Sequence, residues 1–273
     1  MKHRFALPAA HTAVSATLMF VAAVFIFLSF SCSDQYTPTN SSNEMIAEVP
    51  QPQFVVTTIS FSGHTWWVKS SSNKVGPGPN LFSDSPNNVW VDNLGRLHLR
   101  ITKVRGRWYC AEVVSMESFG YGTYRFYLDS PVGTLDPNVV LGLFTWNDDP
   151  AYNNREIDIE FSRWGSANNL NAQYVVQPYT LPQNILRFQL PTTITQSTHS
   201  FEWKIDSVAF KSIKGLNATP PDPSYLIQQW KCTSTIPQAG GENARMNLWL
   251  FRGKPPANGQ EAEAVVNRFE IVN

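Results

Sequence analysis

The sequence predicts an all-β domain, either a sandwich or a barrel, over residues 54–273. From residue 54 onward, short segments that alternate apolar and polar residues are separated by turn signals such as Asn93-Leu94-Gly95 and Pro220-Pro221. No long stretch shows the 3.6-residue period of an amphipathic helix. Many short strands divided by turns are typical of sandwiches and barrels.

The predicted strands follow one another through the whole domain. Most of them alternate, which is expected where a sheet buries one face. The run 139–144 is instead continuously apolar, which indicates an inner strand. The predicted strands cover residues 97–101, 122–128, 139–144, 173–176, 200–205, 207–210, 247–250 and 265–271.

The first 53 residues are predicted to lie outside this domain. Basic residues at positions 2–4 precede a nearly apolar run over 14–30, which is the pattern of an export signal. Residues 1–32 end in Leu-Ser-Phe-Ser-Cys, which resembles a bacterial lipobox with an unusual Ser29. That resemblance implies lipid attachment at Cys32. Secretion with cleavage nearby, or an uncleaved membrane anchor, are the alternatives.

Residues 33–53 are rich in Ser, Thr, Asn, Gln and Pro and lack apolar periodicity. Such a composition favours a flexible tether. We therefore expect an exported bacterial protein, held by a lipid anchor at the outer surface or in the periplasm.

Composition excludes some functions. The net charge is zero and no basic run occurs, so nucleic acid is not an expected partner. Within the predicted domain, the histidines at positions 64, 98 and 199 lack metal-ligand spacing, and neither a metal nor a cofactor is predicted. Cys110 and Cys232 either form a disulfide or remain as two buried thiols.

The run Arg-Glu-Ile-Asp-Ile-Glu-Phe at residues 155–161 carries the strongest chemical signal. In a strand, Glu156, Asp158 and Glu160 share one face, while the isoleucines and Phe161 share the other. Like charges this close raise carboxyl pKa values and separate them, which suits acid–base chemistry.

Ordinary amphipathic patterning of a half-solvated strand is the alternative interpretation of these acids. Aromatic residues near the run favour the functional one. Trp146, Tyr152 and Trp164 flank it, and indole faces suit the apolar faces of sugar rings.

Several segments together resemble glycoside hydrolase family 16, which includes lichenases, laminarinases and xyloglucan transglycosylases. The family signature, Glu-aliphatic-Asp-aliphatic-Glu, occurs at residues 156–160. Further similar segments occur in the same order. They are Phe-Gly-Tyr-Gly-Thr-Tyr at 119–124, Phe-Thr-Trp at 144–146, His-Ser-Phe-Glu-Trp at 199–203 and Met-Asn-Leu-Trp at 246–249.

The resemblance implies a concanavalin-like β-jelly roll, a sandwich of two antiparallel sheets with a concave substrate cleft. It implies Glu156 as nucleophile, Glu160 as general acid/base and Asp158 as the carboxylate between them. The expected substrate-binding residues are Glu112, Phe144, Trp146, Asn247 and Trp249. We further expect that repulsion within the cluster keeps Glu160 protonated near neutral pH.

The implied mechanism is retaining and needs two carboxyl groups about 5–5.5 Å apart. Because the α-carbons of Glu156 and Glu160 lie roughly 13 Å apart on a straight strand, the long side chains must converge on a bent sheet. No residue is inserted before Glu160, so a regular strand without a bulge is expected.

Three positions depart from the family pattern. Val114 stands where lichenases carry an Arg that holds the sugar, and Asn154 stands where they carry a Trp. Asn267 replaces an Asp associated with a structural calcium, and that ion is not predicted.

The sequence thus predicts a monomeric, retaining, endo-acting β-glucanase on mixed-linkage or β-1,3-glucan. A transglycosylase using the same site is one alternative, and a non-catalytic carbohydrate-binding surface lipoprotein is another.

Overall fold

The computed structural model describes residues 56–273, which form sixteen β-strands and five short 3-10 helices. In chain order the strands are β1 Thr58–Phe61, β2 His64–Val68, β3 Leu81–Phe82, β4 Val89–Val91, β5 Leu97–Val104, β6 Arg107–Ser115, β7 Gly122–Leu128, β8 Val139–Trp146, β9 Ile157–Phe161, β10 Ala172–Val176, β11 Ile185–Phe188, β12 Ser197–Trp203, β13 Val208–Lys214, β14 Leu226–Cys232, β15 Asn243–Leu250 and β16 Ala262–Val272. The 3-10 helices are Val132–Thr134, Pro150–Arg155, Pro182–Asn184, Pro223–Tyr225 and Phe251–Gly253.

The predicted signal segment, tether and lipidated Cys32 lie outside the described residues. Within residues 56–273, no helix has both the length and the apolar character needed to cross a membrane.

The strands form two antiparallel layers that are joined through β5. One layer has the order β1-β2-β6-β15-β8-β9-β10-β11, and the other has the order β4-β5-β16-β7-β12-β13-β14. Residues 97–101 of β5 pair with β16, whereas residues 102–104 pair with β6. The predicted jelly-roll sandwich is therefore confirmed. Among the named strand pairs, only β3 and β6 run parallel.

Aromatic side chains fill the space between the layers. Tyr174 of the first layer stacks on Phe210 of the second with ring centroids 4.8 Å apart, and Tyr124 stacks on Phe201 at 4.7 Å. Trp203 is fully buried. Complete burial of one such side chain contributes about 1.5–3 kcal/mol, so this cluster supplies much of the driving force for folding.

A buried polar network also connects the layers. His199 of β12 contacts the hydroxyl oxygens of Ser212 at 2.6 Å and Ser197 at 2.8 Å. The hydroxyl of Tyr174, on β10, lies 2.5 Å from that of Ser212. Burial lowers the pKa of His199 to about 3, so the imidazole is neutral and structural.

Most predicted strands are present, with shifted ends. The strand predicted over 200–205 stops at Trp203, because Ile205 lies in an exposed turn. The run 139–144 extends to Trp146 and is buried on both faces through Thr145. Cys110 and Cys232 are both free and buried, so the disulfide alternative was wrong for this pair.

Candidate active site

The three acids of the 155–161 run lie on the face of the first layer that points away from the core. Ile157, Ile159 and Phe161 are fully buried in the core, as the alternation predicts. The acids line a cavity of about 390 Å³. The same cavity also brings together every predicted substrate-binding residue, namely Glu112, Phe144, Trp146, Asn247 and Trp249.

Strand register places part of this set in one straight row. Glu160 of β9 is directly opposite Gly142 of β8, Gly142 is opposite Asn247 of β15, and Asn247 is opposite Glu112 of β6. Directly opposite residues point to the same face of a sheet. The row therefore forms the floor of the cavity, perpendicular to the strands.

Gly142 keeps this floor open. A Cβ atom at this position would lie 2.5 Å from Oδ1 of Asn247, which is closer than real Cβ contacts. The absence of a side chain lets Asn247 fill the space, and its amide nitrogen lies 3.3 Å from Oε2 of Glu112.

The segment before Glu156 has an unusual backbone. Asn153, Asn154 and Arg155 all have left-handed conformations, with φ of 49°, 59° and 49°. Asn tolerates this region, but Arg adopts it rarely. The strand β9 therefore begins at Ile157, inside the run 155–161 that was predicted to form a strand. Glu156 itself is extended, with φ −91° and ψ 122°.

Thr145 holds this segment in place. Its hydroxyl donates to the carbonyl of Arg155 at 2.7 Å and accepts from the amide of Ile157 at 3.2 Å. The guanidinium of Arg155 donates to the carbonyl of Gln238 at 2.9 Å. Glu156 is thus fixed from both sides by its neighbours in the chain. From Ile157 to Phe161 the pairing shows no register shift, in agreement with the regular strand predicted.

Burial is the main influence on the carboxyl groups. It raises the pKa of Glu156, and the charge of Glu160 raises that pKa further, while a hydrogen bond with Asp158 and the charge of Arg245 oppose the rise. Burial also raises the pKa of Asp158 well above its usual range, with additional repulsion from both glutamates.

For Glu160, burial raises the pKa, while a hydrogen bond from Gln173 and the charge of Arg187 lower it. The expected cause, repulsion within the cluster, was therefore wrong for this residue. Desolvation penalises its charged form because the side chain lies in a partly enclosed cavity. The cluster as a whole retains protons at pH values where isolated carboxyl groups are ionised.

Sequence reasoning missed several polar residues of the site. Arg245 lies directly opposite Val114, with its guanidinium 3.4 Å from Oε1 of Glu112. The ammonium group of Lys69 lies 3.0 Å from Oε2 of the same carboxylate. An Arg thus stands across the ladder from the position where lichenases are expected to carry one. Alternation along β15 was the available signal, because residues 245, 247 and 249 share a face.

The aromatic residues have different environments. Phe144 is nearly buried and Trp249 is half-buried, while the indole of Trp146 donates to Asp148 at 3.1 Å. Tyr152 lies outside the cavity lining and stacks on the guanidinium of Arg155, 4.3 Å from its ring centroid. Trp66 is buried in the core, and its neighbour Trp67 is exposed.

No protein-family model matches the sequence, and no curated protein matches it in sequence. Solved structures do match the fold. The Bacillus licheniformis beta-glucanase aligns with a TM-score of 0.55 at 21% identity, over 76% of this chain and 92% of that one. SCLam, a non-specific endo-beta-1,3(4)-glucanase from family 16, aligns with a TM-score of 0.56 at 14% identity, over 76% and 84%.

A third match is described as an immunostimulatory antigen and pseudo beta-1,3-glucanase of Mycobacterium tuberculosis. It aligns with a TM-score of 0.54 at 20% identity, over 76% of this chain and 90% of that one. The chain therefore covers most of each of these structures. At these identities the likeness concerns architecture, and it shows that the chain has the fold of the family 16 beta-glucanases.

Proposed function

We propose that the chain belongs to glycoside hydrolase family 16 and hydrolyses internal bonds of a β-glucan. The observation that carries this proposal is the placement of Glu156, just before β9, and of Asp158 and Glu160 of β9 inside one cavity lined by aromatic and hydrogen-bonding side chains. A merely amphipathic strand would expose such acids to solvent and would need no cavity.

In the proposed reaction, Glu156 attacks the anomeric carbon while Glu160 protonates the departing glycosidic oxygen. A covalent glycosyl–enzyme forms, and the leaving sugar departs with that proton. Glu160 then removes a proton from water, which attacks the anomeric carbon and releases Glu156. Both substitutions invert the anomeric carbon, so the product keeps the β configuration.

The protonation of Glu160 supports its role as the general acid. Desolvation favours a protonated Glu160, as a general acid requires. Burial raises the pKa of Asp158 well above its usual range, so Asp158 supplies the proton of its hydrogen bond with Glu156. Burial and the charge of Glu160 raise the pKa of Glu156 to about 8, while the hydrogen bond with Asp158 and the charge of Arg245 oppose this rise. The proposed reaction needs Glu156 ionised when it attacks, and these two contacts are the ones that favour its charged form.

The rest of the cavity suits a neutral sugar. Trp249, Trp146 and Phe144 supply apolar surface for ring faces. Asn247 supplies a buried Oδ1 that has no hydrogen-bond partner among the described residues. Such an acceptor is available to a sugar hydroxyl. Glucans with mixed β-1,3 and β-1,4 linkages, or with β-1,3 linkages alone, are the proposed substrates.

The test is turnover by the full chain on barley mixed-linkage glucan, laminarin, xyloglucan and a soluble cellulose derivative. We expect reducing ends from at least one of them, and a loss of several orders of magnitude in Glu156→Gln. Glu117→Gln is the matched control, because Glu117 is exposed and pairs with His64 away from the cavity. Near-normal hydrolysis by Glu156→Gln would refute the assignment.

Two alternatives are separated by the same assay. Products longer than the starting oligosaccharide, formed in the presence of an acceptor sugar, would indicate a transglycosylase. Glucan binding without any bond cleavage would indicate a carbohydrate-binding protein. One structural match bears the description pseudo beta-1,3-glucanase. The complete set of three acids favours catalysis.

We also propose that Cys32 carries a lipid that anchors the domain, on the evidence of the apolar run that ends at this residue and the polar tether after it. Cys32→Ser should release the protein from the membrane fraction or stall its processing. Unchanged partition and unchanged mass would favour an uncleaved anchor or plain secretion.

A further inference from the structure

The floor row of the cavity continues on the other side of Glu160. Gln173 of β10 is directly opposite Glu160, and Arg187 of β11 is directly opposite Gln173. All three side chains therefore point to the same face of the layer. At the usual spacing between strands, Arg187 lies about 10 Å from Glu160 along the row. Arg187 is outside the cavity described above, on the side away from Asn247.

A hydrogen-bonded chain fixes the direction of Arg187. The amide nitrogen of Gln173 donates to Oε2 of Glu160 at 2.6 Å, and its oxygen accepts from Nε of Arg187 at 3.2 Å. Within residues 56–273, the two Nη groups of Arg187 have neither a hydrogen-bond acceptor nor a salt-bridge partner. The side chain is exposed, so its outer donors face open solvent above the row.

Trp164 forms an aromatic surface beside this guanidinium. The ring centroid lies 5.5 Å from Cζ of Arg187. Trp164 has a left-handed backbone with φ 45°, and its amide donates to Oγ of Ser162 at 2.9 Å. A bulky residue in this conformation is strained, and such strain is concentrated at ligand-binding and active sites.

Neighbouring contacts hold the loop that presents this residue. The guanidinium of Arg163 donates to the carbonyls of Leu135 and Gly133, and the carbonyl of Arg163 accepts from Asn169 at 3.0 Å. Trp164 is half-buried rather than packed in the core. The loop thus keeps an indole partly exposed at the edge of the floor row.

We propose that Trp164 and Arg187 form a binding subsite for the sugar on the leaving-group side of the scissile bond. The cavity that contains Glu156 holds the sugar that is attacked. Glu160 protonates the oxygen that departs, so the leaving portion extends past Glu160 toward Gln173 and Arg187. An indole face and outward N–H donors match the C–H face and hydroxyl oxygens of a neutral glucosyl unit. This inference rests on the proposed function.

The test compares two substrates with the same donor oligosaccharide. One carries a glucosyl leaving group, and the other is the β-glycosyl fluoride, whose leaving group is too small to reach the subsite. We expect Trp164→Ala and Arg187→Ala each to lower kcat/KM for the first substrate about tenfold or more. The rates are compared below the alkaline limb of each pH profile, so that loss of the Arg187 charge, a charge that lowers the pKa of Glu160, does not change the protonation of the acid. For the fluoride we expect a change below about twofold.

Trp108→Ala is the matched control. Its ring also lies 5.5 Å from a cation, Nζ of Lys103, and it does not line the cavity. Circular dichroism establishes that each variant is folded, and Arg187→Ala keeps the test valid if Trp164→Ala unfolds, because the arginine side chain is exposed. We expect Trp108→Ala to have the wild-type kcat/KM for both substrates.

Two results separate the failures. Suppose that the wild type cleaves both substrates. If the variants then lose activity to the same extent on both substrates, or keep full activity on both, the subsite is refuted while the proposed function stands. If the wild type cleaves neither substrate, nor any polysaccharide of the panel, the proposed function is refuted, and the subsite with it.

Discussion

Gln173 donates a hydrogen bond of 2.6 Å to the carboxylate of Glu160 from the directly opposite position on the neighbouring strand. The same amide accepts a hydrogen bond from Arg187. This arrangement fixes the orientation of the proposed acid/base. It also stabilises the ionised form of Glu160, because a carboxylate accepts hydrogen bonds from N–H groups better than the neutral acid does.

The first prediction concerns this hydrogen bond. Gln173→Met removes the donor and preserves the length of the side chain, so the pKa of Glu160 should rise. A general acid with a raised pKa stays protonated to higher pH. The alkaline limb of the kcat/KM profile should therefore move to higher pH, as measured with a substrate that has a sugar leaving group.

Gln229→Met is the control, because Gln229 is also a strand glutamine but lies on β14 of the other layer. Its profile should match that of the wild type. An unchanged alkaline limb in Gln173→Met would show that Gln173 does not control the protonation of Glu160.

The second prediction concerns Gly142. The methyl group of Gly142→Ala would meet Oδ1 of Asn247 at 2.5 Å, and such overpacking typically costs about 1–3 kcal/mol of unfolding free energy. The double variant Gly142→Ala/Asn247→Ala removes the clashing atom. Its loss should be smaller than the sum of the two single losses, as measured by urea denaturation. Additive losses would show that the two positions do not compete for the same space.

The third prediction concerns His199 and the pH dependence of stability. The pKa of this imidazole is lowered by burial to about 3 in the folded chain, and its value in the unfolded chain is about 6.5. Above pH 6.5 the imidazole is neutral in both the folded and the unfolded chain, and its full contribution to the unfolding free energy is present. As the pH decreases from 6.5 toward 3, only the unfolded chain binds the proton. The unfolding free energy therefore falls by up to about 1.4 kcal/mol per pH unit.

His199→Gln lacks this titration. Its unfolding free energy should depend less steeply on pH than that of the wild type across this interval, as measured by urea denaturation at fixed pH values. The difference in slope isolates the imidazole from the carboxyl groups, which both proteins share. Equal slopes would show that His199 is not held neutral.

The sequence predicted the parts of the fold and the site that depend on local alternation. Glu156, Asp158 and Glu160 share a face because strand side chains have a period of two, and the intervening isoleucines indicate which face is buried. Trp249 and Asn247 follow from the same rule on β15. The all-β class was likewise predictable, because the two-residue alternation of apolar side chains and the turn residues between segments are enough to indicate it.

Register between distant strands was not predictable in this way. Arg245 faces Val114 across more than a hundred residues of sequence, and a single sequence does not specify which residues become opposite. For the same reason, Gln173 stood in a predicted strand and Arg187 in none, and no local pattern connected either residue with Glu160. Arg155 has a left-handed backbone shortly before β9 begins. Its contacts with Thr145 and Gln238 hold this conformation, and the local sequence does not indicate it.

The last prediction concerns the acid/base and the stereochemical course. Glu160→Ala should reduce activity on natural glucans far more than on aryl glycosides with a good leaving group, because the latter need little protonation to depart. The covalent intermediate on Glu156 should then accumulate, since no base activates water. Added azide needs no such activation, so it should restore turnover and give a β-glycosyl azide. Proton NMR of the wild-type reaction should show the β-anomer first; an α-anomer appearing first would exclude double displacement and the roles of both glutamates.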